Sequence, residues 1–512
     1  EPSLLARRRW PAFRAALTAA HSPAGPADLA PAAPARERLA YDELLSHQMT
    51  LAIARARTRR PKGFATRGDG RLQARVLAAL PYAPTGAQTR AIAEITADMA
   101  SPRRMNRLLQ GDVGAGKTLV ALLAMLAAVE AGGQAAMMAP TEILARQHLL
   151  SLAPLAEAAG VRLDLLTGRD KGRERAAKLA ALAGGETRIL VGTHALFQKD
   201  VAFADLRLAV VDEQHRFGVR QRMDLGKKGE RADILVMTAT PIPRSLTLAQ
   251  YGDMDLSILD EKPPGRHPVE TALVSAGRTG EVIEHLRRAI AVGRQAYWVC
   301  PLVGESEVAE MTAAEERFRS LELAFGPGTV GLVHGQMPPA QKDAAMADFV
   351  AGRSRLLVAT TVIEVGVNVP NASIMVIEGA QAFGLAQLHQ LRGRVGRGAE
   401  RSTCLLLYDP PLGETARARL EIMRSTEDGF RIAEEDLRLR GAGDLIGIAQ
   451  SGLPRFRIAD LELQADLMRV AQDDARLLLD QDPELASPRG RAMRTLLYLM
   501  ERDKAIGMLS IG

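Results

Sequence analysis

Arg107-Leu-Leu-Gln-Gly-Asp-Val-Gly-Ala-Gly-Lys-Thr118 is the stretch whose reading decides the fold. A short apolar run, Arg107 to Gln110, enters Gly111, four residues follow, and Gly116-Lys117-Thr118 opens an apolar helical stretch from Leu119 to Val129. A strand that turns through glycines into a helix start aims backbone N–H groups and the positive end of the helix at one anion. Gly111, Gly114 and Gly116 permit the tight wrap, while Asp112, Val113 and Ala115 complete the loop. Lys117 adds a point charge for the terminal phosphates, and Thr118 a hydroxyl for a hydrated Mg2+. The plainer alternative is a glycine turn with a surface lysine; the flanking strand and helix count against it.

An acidic partner stands downstream. Leu208-Ala-Val-Val211 reads as a buried strand that delivers Asp212, Glu213, Gln214 and His215 at its C-terminal end, the ligand-binding edge of an open α/β sheet. Asp212 suits Mg2+ through its water shell, and Glu213 suits orienting and deprotonating an attacking water. His215 either couples the nucleotide to a second domain or caps a hydrogen-bond network. Another apolar run, Ile234 to Met237, ends in Thr238-Ala-Thr240, whose hydroxyls bridge the acidic site to a domain interface.

Together with Ala135 to Ala139 and Arg188 to Val191, these runs alternate with helical stretches and predict a parallel sheet flanked by helices. Pro263-Pro-Gly265 and Pro268 break the series. A second one begins with Gln295 to Cys300, Val330 to Val333, Leu356 to Thr360, Ile374 to Ile377 and Cys404 to Tyr408. The fold class is therefore α/β, with two tandem RecA-like parallel-sheet domains at 80–262 and 263–412. A linker and helical segment occupies 1–79, and a helical extension 413–512.

The second series carries Gln387-Leu-His-Gln-Leu-Arg392-Gly-Arg394-Val-Gly-Arg397-Gly398. Phosphoryl transfer needs cations where charge develops on the γ-phosphate, and arginine supplies them with fixed geometry. Arg394 and Arg397 are expected as the fingers and Gln390 as a sensing contact. Residues 358–370, with Thr360 and Thr361, read as a loop facing both nucleotide and nucleic acid.

The 512 residues are 47% hydrophobic and 25% charged, with a formal net charge of +6, which permits a polyanionic partner without requiring one. The two cysteines, Cys300 and Cys404, each sit in an apolar run and read as core thiols in a reducing compartment. The longest apolar run, Leu119 to Val129, is short of the roughly 18 residues of a membrane span. A cytoplasmic, monomeric protein with no membrane contact is expected. Residues 22–35 carry proline often enough to read as a linker that sets apart a leading segment around Trp10. Arg36 to Arg60 returns to helical spacing, and Arg55, Arg57, Arg59 and Arg60 read either as phosphate contacts or, more simply, as its solvated basic end.

These blocks, in this order, resemble superfamily 2 helicases, from Pro84-Thr-Gly-Ala-Gln88, similar to the adenine-reading glutamine motif, to Gly398. Pro263-Pro-Gly-Arg-His-Pro268 and Tyr297-Trp-Val-Cys-Pro-Leu-Val-Gly-Glu-Ser-Glu307 are similar to the RecG family within it, over nearly the whole chain. Asp428 to Gly443, continuing through Gln450-Ser-Gly452, resembles the translocation motif that RecG proteins share with the transcription-repair coupling factor Mfd. The resemblance implies ATP and Mg2+ as cofactors and double-stranded and branched DNA as partner, with a single-strand-binding protein as a further one. It places DNA-contacting or coupling residues at Thr141 and Arg146, at Thr193 and His194, at Thr238 and Thr240, at Thr360 and Thr361, and at Arg438 and Arg440. Asn368 stands where the family usually has Asp. The family's N-terminal wedge domain has no counterpart before residue 36, so a motor portion without the wedge is expected.

The expected function is ATP-dependent translocation on branched DNA in recombination and repair. Two rivals stand beside it: an Mfd-type translocase acting on RNA polymerase, and a nucleotide-switched DNA-binding module with little turnover.

Overall fold

The computed structural model describes residues 2–59, 63–213, 232–239, 254–263, 267–301, 307–360, 369, 371–396, 398, 401–440, 456–460 and 463–503. The chain divides into two compact units. One gathers Gly63–Pro241 and Leu256–Asp436, and the other Glu1–Lys62, Ile242–Asp255 and Leu437–Gly512.

The first unit is built on two sheets. The strands of its amino-terminal half are β1 (Asn106–Gly111), β2 (Gln134–Met138), β3 (Leu163–Leu166), β4 (Ile189–Gly192), β5 (Leu206–Asp212), β6 (Asp233–Thr238) and β7 (Asp255–Leu259). They lie in the order β3-β4-β2-β5-β6-β1-β7. Along β2, Ala135 and Met137 enter one apolar cluster while Ala136 and Met138 enter another. Both faces of the sheet are therefore covered, which is why its strands read as unbroken apolar runs. The helix Lys117–Glu130 is buried from Leu119 to Ala128, with β-strand neighbours on one side and further helices on the other. Register fixes the functional edge: Gln110 pairs with Thr238 and Asp212 with Met237, so β1, β5 and β6 end side by side.

The carboxyl-terminal half holds β8 (Val269–Ser275), β9 (Gln295–Val299), β10 (Val330–Val333), β11 (Leu356–Ala359), β12 (Ala372–Ile377) and β13 (Ser402–Tyr408), in the order β10-β11-β9-β12-β13-β8, all paired parallel. Trp298 is fully buried, and its Nε1–H donates to Glu378 Oε2 at 2.8 Å, which satisfies the indole in the core. Cys300 and Cys404 are buried as expected, and burial pushes each thiol up to about 12. The architecture is the expected pair of parallel α/β sheets with a helical carboxyl-terminal region. No helix among the described residues is long and apolar enough to cross a membrane.

The second unit is helical, and it corrects three expectations. The proline-rich stretch 22–35 is not a plain spacer: Pro26–Leu29 forms a 3-10 turn, and a long helix already begins at Pro34 and runs to Arg59. Proline is compatible with both starts because the first turn needs no N–H donor there. The leading segment is not set apart either. Trp10 is buried, its ring lies 5.1 Å from that of Tyr41, and its Nε1–H donates to Glu37 Oε2 at 2.6 Å. The same long helix meets Ala465–Gln481 through Leu44, Met49, Ile53, Met468 and Ala475. Tyr41 donates its hydroxyl proton to Asp474 at 2.5 Å, and the Glu43 carboxylate accepts the backbone N–H groups of Arg457, Ile458 and Ala459. Arg55 is not solvated but pairs with Asp255, because a guanidinium this enclosed needs an anion. The side chains of Arg57, Arg59 and Arg60 lie outside the described residues.

One buried carboxyl makes stability depend on pH. Asp233 opens β6 and accepts the Met105 N–H at 2.7 Å, yet burial pushes its carboxyl up to about 7. The folded chain thus holds a proton that the unfolded chain releases near its ordinary value of about 3.9. The associated stability is present in full below that value and is lost as pH rises through about 7. Asp233→Asn keeps the carbonyl acceptor without the charge. It is expected to raise the melting midpoint at about pH 8, by up to about 4 kcal/mol of stability, and to flatten the slope between about pH 4 and 7. Thermal melts of both proteins across that range check it.

Candidate nucleotide site

β1 feeds the phosphate loop, and the loop's glycines are explained by what surrounds them. Gly114 and Gly116 adopt φ of +81° and +85°, the left-handed region that side chains resist. A Cβ on Gly116 would also run into the Gln88 amide. Gln88 itself closes a capping box at the start of the helix Gly86–Met99: its Oε1 accepts the Thr85 N–H at 3.0 Å while Thr85 Oγ1 accepts the Gln88 N–H at 3.2 Å. Its Nε2 donates to the Ala115 carbonyl at 2.9 Å. The glutamine expected to read adenine is thus buried and braces the phosphate loop. Lys117 donates from Nζ to the carbonyls of Gly111 at 2.7 Å and Asp112 at 2.9 Å, so its ammonium is held over the loop.

Asp212 and Glu213 leave β5 on the same edge. Burial of Asp212 works against its charge, but the His148 hydrogen bond, with Lys117 nearby, holds the carboxyl below the usual range. His148 Nε2 meets Asp212 Oδ2 at 2.8 Å. Glu213 behaves oppositely: burial and the adjacent Asp212 charge push it up, opposed by Lys117, the Ala239 N–H and Arg394. Two neighbouring carboxyls driven apart in this way can serve one as a standing anion and the other as a proton acceptor. Glu213 also sits at φ +53°, a strained backbone for a non-glycine residue, found where a side chain must be aimed.

A cavity of about 1080 Å³ collects the pieces: Lys117 and Thr118 from the loop, Asp212 and Glu213 from β5, and Gln390 and Arg394 from the carboxyl-terminal half. Gln390 lies on the helix Leu385–Arg392, and Arg394 is buried just beyond it. The two sequence stretches expected to meet around one ligand do line one space. Arg392 does not join them. It turns into the protein and donates to the carbonyls of Met423 at 2.5 Å and Thr426 at 2.9 Å, which it satisfies where the helix Glu414–Ser425 ends.

The residues expected to touch DNA are placed more variously. Thr141 caps the helix Glu142–Ala159, its hydroxyl accepting the Leu144 N–H at 3.3 Å, and Arg146 pairs with Glu142 at 2.8 Å. Thr193, Thr238 and Thr360 are buried at strand ends, whereas His194 and Arg438 are exposed. Gln214, His215, Thr240, Thr361, Asn368 and Arg397 lie outside the described residues, as does the side chain of Arg440. Sequence reading missed two residues here. Tyr82 lines the cavity, and His148 pairs with Asp212. Only the position of His148 two residues beyond Arg146, one of the expected DNA contacts, hinted at it.

The DEAD/DEAH box helicase family matches residues 85–248, and the helicase conserved C-terminal domain matches 281–399. With two RecA-like sheets and one cavity between a phosphate loop and an arginine, they define the two-sheet core of a superfamily 2 helicase. Residues 426–508 match a third family, ATP-dependent DNA helicase RecG, domain 3, C-terminal. The ATP-dependent DNA helicase RecG of Acidithiobacillus ferridurans is 49% identical over 93% of this chain and 69% of that protein. Its Escherichia coli K12 counterpart is 49% identical over 88% of this chain and 66% of that protein. A solved structure of RecG bound to a three-way DNA junction superposes with a TM-score of 0.71 at 44% identity, covering 85% of this chain and 57% of that one. The chain belongs to the RecG family. It spans about two thirds of the length of the curated relatives it matches. The RNA-bound helicase Dbp5 of S. cerevisiae, with a TM-score of 0.51 at 16% identity, shares the fold.

Proposed function

We propose that this chain is an ATP-driven motor that moves on duplex DNA and acts at branched DNA, in recombination and repair. The observation that carries the reading is the single cavity into which the phosphate loop and Arg394 both open. Relatives named as ATP-dependent DNA helicases, and a RecG structure on a three-way junction, support the DNA half of it.

In this reading the triphosphate takes Lys117 from its loop carbonyls. Thr118 and Asp212 would hold Mg2+, the hydroxyl as a hard oxygen and the ionised carboxylate through the water shell this ion keeps. When bound, the ion neutralises charge on the phosphates. Glu213 accepts the proton of the attacking water, and Arg394 stabilises charge on the transferred group. Thr141 can still donate its hydroxyl proton to a DNA phosphate while its oxygen caps the helix.

ATP consumption measured alone, with linear duplex and with a three-way junction tests the proposal. Turnover is expected to rise about tenfold or more with DNA, and most with the junction. Turnover indifferent to DNA would favour a nucleotide switch instead.

A further inference from the structure

The phosphate loop carries one residue whose two ends face different tasks. The carbonyl of Asp112 is held by Lys117, at 2.9 Å, on the nucleotide side. Its carboxylate points the other way. Oδ1 lies 3.0 Å from His389 Nε2, and Oδ2 accepts the backbone N–H of Gly429 at 3.3 Å. Gly429 is the first residue of the helix Gly429–Arg440, where an anion satisfies an orphan donor and meets the positive helix end.

His389 extends the contact. Arg392 Nη2 lies 3.2 Å from His389 Nδ1, and a guanidinium has only donors, so Nδ1 accepts and Nε2 carries the proton given to Asp112. Arg392 in turn grips the carbonyls of Met423 and Thr426, just before that helix. Asp112 therefore holds the helix entrance twice, once at Gly429 and once through His389 and Arg392. Glycine at 429 permits this closeness: a Cβ there would lie 2.7 Å from His389 Nε2 and run into the Asp112 carboxylate, so both side chains would have to move. The carboxyl stays ionised although burial opposes it, because His389, the Gly429 N–H and Lys117 all favour its charge.

The geometry points to Asp112 as a coupling residue that transmits occupancy of the phosphate loop, through His389 and Gly429, to the start of the helix Gly429–Arg440. When a triphosphate draws Lys117 off the Asp112 carbonyl, the loop shifts and the carboxylate changes its hold on the helix entrance. This rests on the motor reading above, and the test separates the two.

The full chain is assayed for DNA-stimulated ATP hydrolysis and for displacement of a third strand from a DNA triplex, which reports movement along duplex. His389→Leu and Gly429→Ala are each expected to keep hydrolysis within about threefold of wild type while displacement falls about tenfold or more. His389→Gln, which retains an N–H donor, is expected to recover most displacement. The double variant is expected to lose no more than either single one, since both break the same link. Hydrolysis and displacement falling in proportion, failure of His389→Gln to recover displacement, or multiplying losses would overturn the coupling role. A wild-type chain that hydrolyses no ATP would overturn the motor reading, and this one with it.

Discussion

Glu213→Gln is expected to bind ATP with affinity within about threefold of wild type and to hydrolyse it roughly 10²–10⁴-fold more slowly. The side chain keeps its size and its reach to the Ala239 N–H at 3.5 Å, but an amide cannot take a proton from water. The raised affinity of Glu213 for protons is what equips it for that step, and burial beside Asp212 is what raises it. The backbone supplies a control. At φ +53° glycine relieves strain that glutamate carries, so Glu213→Gly is expected to melt no lower than wild type while being equally inactive. Nucleotide-binding titrations beside steady-state turnover check both. Hydrolysis near the wild-type rate in either variant would remove Glu213 from the chemistry.

Arg394→Ala should slow turnover roughly 10³-fold with little change in ATP affinity, because its guanidinium acts on charge that develops only during transfer. Arg394→Lys is expected to recover little, since an ammonium lacks the planar fork. The loss has a second source. Arg394 is one of the charges that keep Glu213 from rising further, so its removal also leaves the base more often protonated. A variant that weakens ATP binding yet turns over normally when saturated would make Arg394 a binding residue rather than a stabiliser of the reaction.

Strands buried on both faces were legible because their residues are apolar without interruption: β2, β5, β6, β9 and β13 stand out in the sequence. Of the edge strands, β10 was legible as Val330 to Val333, but β3, β7 and β8 were not. β3 is Leu163-Asp-Leu-Leu166 with half its residues partly exposed, and β8 is partly exposed along its length, so neither is a continuous apolar run. The phosphate loop, Asp212, Glu213, Gln390 and Arg394 were readable because each needs a residue type at a fixed place relative to a strand or a glycine. Partners far apart in sequence left no such trace. His148 and Asp212 are 64 positions apart, Asp112 and Gly429 are 317, and Tyr41 and Asp474 are 433. Gln88 shows a different limit: its motif located it, but only geometry revealed that its amide also bonds Thr85 and Ala115.

The buried thiols have a practical corollary. Alkylating reagents attack thiolate, and neither Cys300 nor Cys404, the two cysteines of the chain, forms it readily or meets solvent. The native protein is therefore a quiet background for maleimide dyes, and one cysteine introduced on the surface of each sheet-bearing half would be labelled selectively. Whether nucleotide changes the distance between those halves could then be followed by energy transfer between fluorophores without first stripping the protein of its own sulfhydryls.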